Sequence, residues 1–519
     1  MNILCNGTHT TLYLYFISLI ICSKSFRVFS NRLCKAYRQH YLKDSFTPVQ
    51  EEKTLYINHT DGLFNKLSNS FFAQIGSNPK YVEDEDYHWF DGDGMIHGVF
   101  INKSQIVYQN KWVQTKRFQV ENKWKKKMYL YFGELKGFKG LYEILKFSLM
   151  ELLGFLPHAK GTANTAMLQW NSKFYALHEG DMPYELIMDY KKFNISTKGR
   201  LNFTNIYSTT AHPIQDKKRK QLYLYGYNNY DFSDGKFIFN AFSQNLTHLY
   251  QRNFSLINNG MTHDVAFTGD NIIIPDMPLK YDPSLMCQEK LPLYFDKQNG
   301  ITRFGVYNVE CHIDSNKTCE PHWFYFDENF FIFHFARAYQ TVQEYIVFAC
   351  VMDDLHMEDF VELKSHTNEQ QIIRGKLRLK QLTLHKYTNK TSVVENPFLE
   401  NLELDFPYNL DFPIQSKINP RYIYCSVFDS STGYIRGYVK VDTYYFDTAK
   451  PQVFLFHEGN FGNSEPQVVI LENKEYLISY TYNSNDSYIS LIDVEHNSLH
   501  SIKIPTRIPT GFHSIYFKH

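Results

Sequence analysis

From about residue 60 to its end, the chain repeats one texture: short runs of β-branched and aromatic residues broken by Gly, Asn, Asp and Pro. Gly98-Val-Phe-Ile101, Phe174-Tyr-Ala-Leu177, Leu222-Tyr-Leu-Tyr-Gly226, Phe330-Phe-Ile-Phe333 and Tyr476-Leu-Ile-Ser-Tyr480 are examples. Side chains of this kind fit a pleated surface, and the residues between them are turn formers. Many short strands at near-regular spacing imply a barrel, a sandwich or a propeller. At 519 residues, with no second composition regime, the pattern predicts an all-β propeller whose blades have diverged beyond visible repeats. An aromatic content of 17% suits that class, because aromatics favour strands.

Met261 to Leu279 shows the unit in detail. Val265 and Phe267 precede the turn formers Gly269-Asp270-Asn271, and Ile272, Ile273 and Ile274 follow them. This reads as two strands about a tight turn, with His263 at the start of the first. A side chain there can point off the end of a sheet. Three more histidines have similar settings near strand ends: His212 in Thr210-Ala-His-Pro213, His334 in Phe333-His-Phe-Ala-Arg-Ala-Tyr339, and His513 in Pro509-Thr-Gly-Phe-His-Ser514. None forms a local His-x-x-x-His pair, so no one helix carries them. In a propeller the inner strands line a central axis, where one imidazole from each of four blades can meet. Four neutral nitrogen donors suit a borderline divalent metal. An octahedral iron(II) would keep two positions open, whereas zinc with four histidines would be closed.

The formal net charge is zero, which gives a nucleic acid nothing to bind, so no nucleic-acid partner is expected. The eight cysteines show no zinc spacing and only Cys311 and Cys319 are close in sequence, so free thiols are expected, with one bridge if the chain is exported. Residues 1–45 read as a leader. Leu12 to Cys22 is apolar, like a signal core, with basic residues following it, so a signal anchor is the alternative. Asn58, Asn194, Asn202 and Asn245 open Asn-x-Ser/Thr triplets that matter only on a secretory route. Residues 46–519 then form one propeller domain. Within it, 138–157 departs from the strand texture. Leu141, Leu145, Leu149, Leu152 and Leu156 recur near helical spacing beside Trp124-Lys-Lys-Lys-Met128, which fits either a membrane-docking helix or a buried cap.

The order of several motifs carries a resemblance. Gly76-Ser-Asn-Pro79, His88-Trp-Phe-Asp-Gly-Asp-Gly-Met-Ile-His97, Gly161-Thr-Ala-Asn-Thr-Ala166, Tyr175-Ala-Leu-His-Glu-Gly180, Thr302-Arg-Phe-Gly-Val306, Gly462-Asn-Ser-Glu-Pro466 and Gly511-Phe-His513 appear in sequence. Together they resemble the carotenoid cleavage oxygenase family, which includes carotenoid and apocarotenoid dioxygenases, stilbene-cleaving relatives and the retinoid isomerase of the visual cycle. The resemblance runs from about residue 70 to the C-terminus.

It implies a seven-bladed propeller with a helical cap over the metal-bearing face, and one Fe(2+) per chain held by His212, His263, His334 and His513. It implies acids behind these imidazoles: Glu179, Glu465, and one preceding a Phe-Pro pair, for which Asp405 is favoured over Asp411. Asp is one methylene shorter than the family's Glu, so its bond to histidine would be lost or bridged by water. The implied reaction cleaves a carotenoid or apocarotenoid C=C bond with dioxygen, giving two aldehyde or ketone products. Alternatives are stilbene cleavage, isomerising hydrolysis of a retinyl ester, or a metal-free binding propeller. A polyene substrate implies peripheral membrane association, at a cytoplasmic or organellar surface. His88 and His97 belong to a structural turn, and His178, His322 and His457 are expected in packing or surface roles. After the third ligand the chain departs from the family, with Arg337 in place of Asn and Gln340 in place of Glu. A cation near iron(II) is unfavourable unless paired.

Overall fold

The computed structural model describes residues 40–519 apart from 83–86, 159, 205, 207, 228–234, 259, 312–318, 361–374 and 410–420. Asp411 and residues 1–39 of the expected leader lie outside the described residues, whereas its last residues belong to the fold: Tyr41 and Leu42 are buried in the core, with Tyr41 stacked on Trp89. The expected hairpin is present: Ala266–Phe267 pairs antiparallel with Asn271–Asp276, and Gly269 takes φ +91° at the turn, a conformation that glycine adopts without strain.

Among the described residues such hairpins build seven four-stranded antiparallel units, beside a two-stranded pair of Leu279–Tyr281 with Leu293–Phe295. Four are separate sheets, whose first strands are Ala166–Trp170, Ile214–Asp216, Ala266–Phe267 and Phe331–Gln340. These are the second to fifth blades. The sixth and seventh begin at Glu403–Asn409 and Gln467–Leu471 and are joined through the short strand Asn460–Gly462. The first blade spans Thr54–Asn58 to Gln105–Trp112, and the last strand of the chain, Ser514–Lys518, pairs with its Ser70–Ser77. Closing the ring this way removes a free inner edge and ties His513 to the first blade. The core follows the blades: strands such as Ser70–Ser77 are buried along their whole length.

The motifs are where loops lock together. Gly76 and Gly511 touch backbone to backbone, since a Cβ on Gly76 would stand 2.7 Å from the Gly511 Cα. Phe512 N–H donates to the Ile75 carbonyl at 2.9 Å there. In Asp91-Gly-Asp-Gly94, a Cβ on Gly92 would strike Ser77 Oγ and one on Gly94 the Ala163 carbonyl, while Asp91 accepts from Phe132 N–H and Asp93 from Lys80 N–H. Asn164 donates to the Phe90 and Gly92 carbonyls, and Asn463 to those of Ile508 and Pro509.

Helices are few. Lys116–Trp124 and Gly137–Leu152 lie between the first and second blades, and 3-10 turns at Trp89–Asp91 and Met357–Phe360 bring aromatics over the histidine-bearing face. The cysteine expectation needs correction. Cys311 and Cys319 form a disulfide across the loop after Arg303–Asn308, and Cys287 is disulfide-bonded as well; Cys350 and Cys425 are buried free thiols.

Candidate metal centre

The inner ends of the blades converge on one point. His212 lies just before the first strand of the third blade, His263 before that of the fourth, His334 within that of the fifth, and His513 just before the closing strand. Their ligand atoms all lie within 4.8 Å of one another. His212 and His263 Nε2 are 3.1 Å apart, and His263 and His334 Nε2 3.3 Å. With metal–nitrogen bonds of about 2.1 Å, nitrogens at right angles stand about 3.0 Å apart, so this donor set fits one first-row divalent ion.

The remaining three blades supply carboxylates. His334 Nδ1–H donates to Asp405 Oδ1 at 2.7 Å and His513 Nδ1–H to Glu465 Oε2 at 3.2 Å; His263 Nδ1 pairs with Glu179 Oε1. An ionised carboxylate only accepts, so each of these imidazoles must carry its proton on Nδ1 and turn Nε2 toward the centre. Thus all seven blades reach the site: the third, fourth, fifth and the closed first with imidazoles, and the second, sixth and seventh with acids. Among the described residues no acid contacts the His212 ring in this way; its backbone is held instead, by Thr210 Oγ1 at 2.8 Å and by Tyr225 OH on its carbonyl at 2.7 Å.

Asp405 makes a direct bond, against the expectation that its short side chain would lose it. The sheet register slips between Asp405 and Tyr408, and Phe406 takes φ 48°, a left-handed conformation that is uncommon for a non-glycine residue. This bulge re-aims the strand so that the shorter acid reaches. Phe406 then packs against His334 and His513, with ring centres 5.3 and 5.2 Å away.

Burial, and then the other three imidazoles, hold the His212 pKa well below its ordinary value. Burial also lowers that of His334, against the pull of Asp405. For His263 burial acts the same way, but Glu179 outweighs it and the pKa rises. Neutral imidazoles are what a metal requires.

Sequence reasoning missed two groups. Asp264 is buried beside His263, and accepts from Phe335 N–H at 2.9 Å, Val265 N–H at 2.7 Å and Tyr225 OH at 3.2 Å. It joins the backbone next to His334, the strand of His263, and the tyrosine that holds His212. Burial raises its pKa to about 6, against these donors. A carboxylate opening an otherwise apolar strand was the available signal. The second is Tyr227, whose hydroxyl hydrogen-bonds Glu179 from within the interior; a tyrosine among so many carried no signal.

The departures lie away from the centre. Arg337 bonds the Thr443 hydroxyl and lies over the rings of Tyr339 and Tyr444, at 5.0 and 5.5 Å. Thr443 follows Asp442, which pairs with Tyr422, while Asp405 pairs with Ser426. Four residues of strand separate these levels, about 13 Å. Gln340 accepts from Asn271 at 3.0 Å, a contact between blades. His88 and His97 are buried away from the cluster, accepting from Phe90 N–H and contacting Tyr108 OH respectively. His178 accepts from Gly180 N–H in the turn beside Glu179, His322 meets Asn389, and His457 is exposed.

Aromatic side chains enclose the centre. Phe333 stands 5.4 Å from His263, and Phe90 lies among Phe333, Phe360 and Phe512. A family model described as retinal pigment epithelial membrane protein matches residues 46–518. The chain belongs to this family. It is a family of enzymes, and its relatives include a carotenoid 9,10(9',10')-cleavage dioxygenase of Arabidopsis thaliana, 27% identical over 92% of this chain and 89% of that protein. A 9-cis-epoxycarotenoid dioxygenase of the same plant is 24% identical, over 92% and 81%. Two solved structures share the fold. They are a lignostilbene dioxygenase of Pseudomonas brassicacearum (TM-score 0.73, 16% identity, 93% of this chain and 99% of that one) and a Synechocystis apocarotenoid oxygenase variant (0.72, 17%, 93% and 99%). Both are propeller oxygenases, as the motif order implied.

Proposed function

We propose that the chain is an iron(II)-dependent dioxygenase that cleaves one C=C bond of a carotenoid or apocarotenoid, giving two aldehyde or ketone products. The observation that carries this reading is the convergence of four imidazoles, three of them backed by carboxylates, inside an aromatic enclosure in a family of carotenoid-cleaving enzymes. His212, His263, His334 and His513 would hold one Fe(2+), which when bound supplies the electrons that activate dioxygen. Glu179, Asp405 and Glu465 fix the proton on the far nitrogen of three rings and offset part of the ion's charge. Phe90, Phe333, Phe360 and Phe512 exclude water and offer flat apolar walls to a polyene. No side-chain nucleophile is needed.

The helix Gly137–Leu152 serves delivery of the insoluble substrate. Leu141 is buried and packs with Met286, but Phe138, Tyr142, Leu145, Leu149 and Leu152 form an exposed apolar stripe. No described helix is long and apolar enough to cross a membrane; the exposed stripe supports docking of this helix in the interface. The reading is tested by incubating iron-loaded protein in detergent with carotenoids, apocarotenals, a hydroxystilbene and a retinyl ester, under air and under nitrogen. Paired carbonyl products that appear only under air support it. A cis-retinol without cleavage identifies an isomerohydrolase, and absence of any product together with absence of bound iron overturns the reading.

A further inference from the structure

The disulfides and the placement of Asn-x-Ser/Thr triplets point the same way. None of the described asparagines that the fold buries, such as Asn78, Asn110, Asn164, Asn240, Asn271 and Asn463, has Ser or Thr two residues on. Conversely, no described asparagine that opens such a triplet is buried. Asn58, Asn202, Asn245, Asn253, Asn389 and Asn485 are exposed. Asn245, Asn389 and Asn485 occupy turns between blade strands, and Asn58 ends an edge strand. A glycan added before folding must end outside the fold, and every described triplet meets that requirement.

The amide chemistry agrees. Asn58 Oδ1 accepts from Gln105 at 3.0 Å, Asn245 Oδ1 from Asn171 at 3.2 Å, and Asn253 Oδ1 from Gln251 at 3.0 Å; Asn389 Oδ1 meets His322 Nε2 at 2.7 Å. Each contact uses the oxygen and not the nitrogen that would carry a sugar. No triplet falls between Asn102 and Asn194, so the apolar face of the helix Gly137–Leu152 stays clear.

We propose that this protein matures in an oxidising secretory lumen, with N-linked glycans on the exposed asparagines and disulfides at Cys287 and between Cys311 and Cys319. In the transfer, the asparagine Nδ2 bonds to the anomeric carbon of a lipid-diphosphate-linked oligosaccharide. The bond from that carbon to the diphosphate breaks, the diphosphate keeps the electron pair, and the amide loses one proton. Each disulfide forms as two thiols pass two electrons and two protons to a thiol–disulfide oxidoreductase. Reducing compartments do not sustain such bonds, whereas secreted and lumenal proteins retain them.

The test is to express the full chain in a eukaryotic secretory host and measure its intact mass before and after peptide-N-glycosidase in heavy-oxygen water. The expected result is a heterogeneous excess mass that the enzyme removes, with labelled Asn-to-Asp conversion at exposed sites including Asn245 and Asn389. Thr247→Ala should lose the Asn245 label and Thr247→Ser should keep it, which separates sequence recognition from misfolding. Non-reducing peptide mapping should return a linked Cys311–Cys319 peptide. A purified chain at its bare polypeptide mass, or with Cys311 and Cys319 open to alkylation, overturns the proposal. Either result leaves the dioxygenase reading untouched.

Discussion

The Asp405 contact sets how tightly the fifth blade holds its imidazole. His334 is buried, and its Nδ1–H donates to Asp405 Oδ1 at 2.7 Å, while the buried Cys350 thiol also contacts this carboxylate. Removing the acceptor behind a metal-bound histidine costs about 10- to 100-fold in metal affinity, about 1.4–2.7 kcal/mol. Asp405→Ala should show that whole loss. It should also destabilise the metal-free protein by about 1–3 kcal/mol, because the Nδ1–H is left buried without an acceptor. Asp405→Asn keeps an oxygen but loses the charge, and a neutral hydrogen bond is about half as strong, so its affinity should fall by about threefold to tenfold. Asp405→Glu restores the family's residue, yet here it forces a methylene against Cys350 and His334, at about 1–3 kcal/mol. The assay is competition for cobalt(II) with a chromophoric chelator, paired with denaturant unfolding of the metal-free forms. Metal binding by Asp405→Ala within twofold of the parent would refute the reasoning, as would Asp405→Asn binding more weakly than Asp405→Ala.

Three further outcomes are expected. Asp264→Asn cannot accept from Phe335 N–H, Val265 N–H and Tyr225 OH together, so cobalt(II) affinity should fall about tenfold, and unchanged titration curves would remove Asp264 from the site. Replacing Leu145 and Leu149 with Glu should abolish co-sedimentation with liposomes without changing the unfolding midpoint; retained binding would place docking elsewhere. Burial lowers the pKa of His97 from 6.5 to about 3, so its stabilising contribution is full above pH 6.5 and is lost as pH falls. Between pH 6.5 and 5 the parent should therefore lose about 1.6 kcal/mol more stability than His97→Gln, measured by denaturant unfolding at both pH values.

The sequence exposed the strands well because hydrophobic alternation and turn chemistry are local. The hairpin at Ala266–Asp276 appeared where Gly269 predicted it. Three of the four histidines were legible through their positions just before strands, His334 lies inside its strand Phe331–Gln340 instead, and only the resemblance selected the four from among His88, His97 and His178. What stayed hidden depends on distances across blades. That Asp405 reaches His334 rests on a register slip and the φ of Phe406, which no residue spacing encodes. Arg337 looked like a cation near the metal, but a second irregularity, between Phe335 and Arg337, separates its course from that of His334, and it ends at Thr443. The leucine stripe at 138–157 was ambiguous for a similar reason: only the packed fold tells that Leu141 is covered and Leu149 is not. The Cys311–Cys319 bridge, which the sequence left conditional on export, forms where a strand and its partner return the two residues to a Cα separation of 5.6 Å, whereas the bonding of Cys287 carried no sequence signal.

The central claim is that one dioxygen molecule is divided between the two products of a C=C cleavage. It is tested most directly by mass spectrometry of both fragments after a brief single-turnover reaction under heavy-oxygen gas, with a heavy-water control to correct for carbonyl exchange. The account predicts one heavy oxygen atom in each carbonyl product. Label in only one fragment, or in neither, would contradict it.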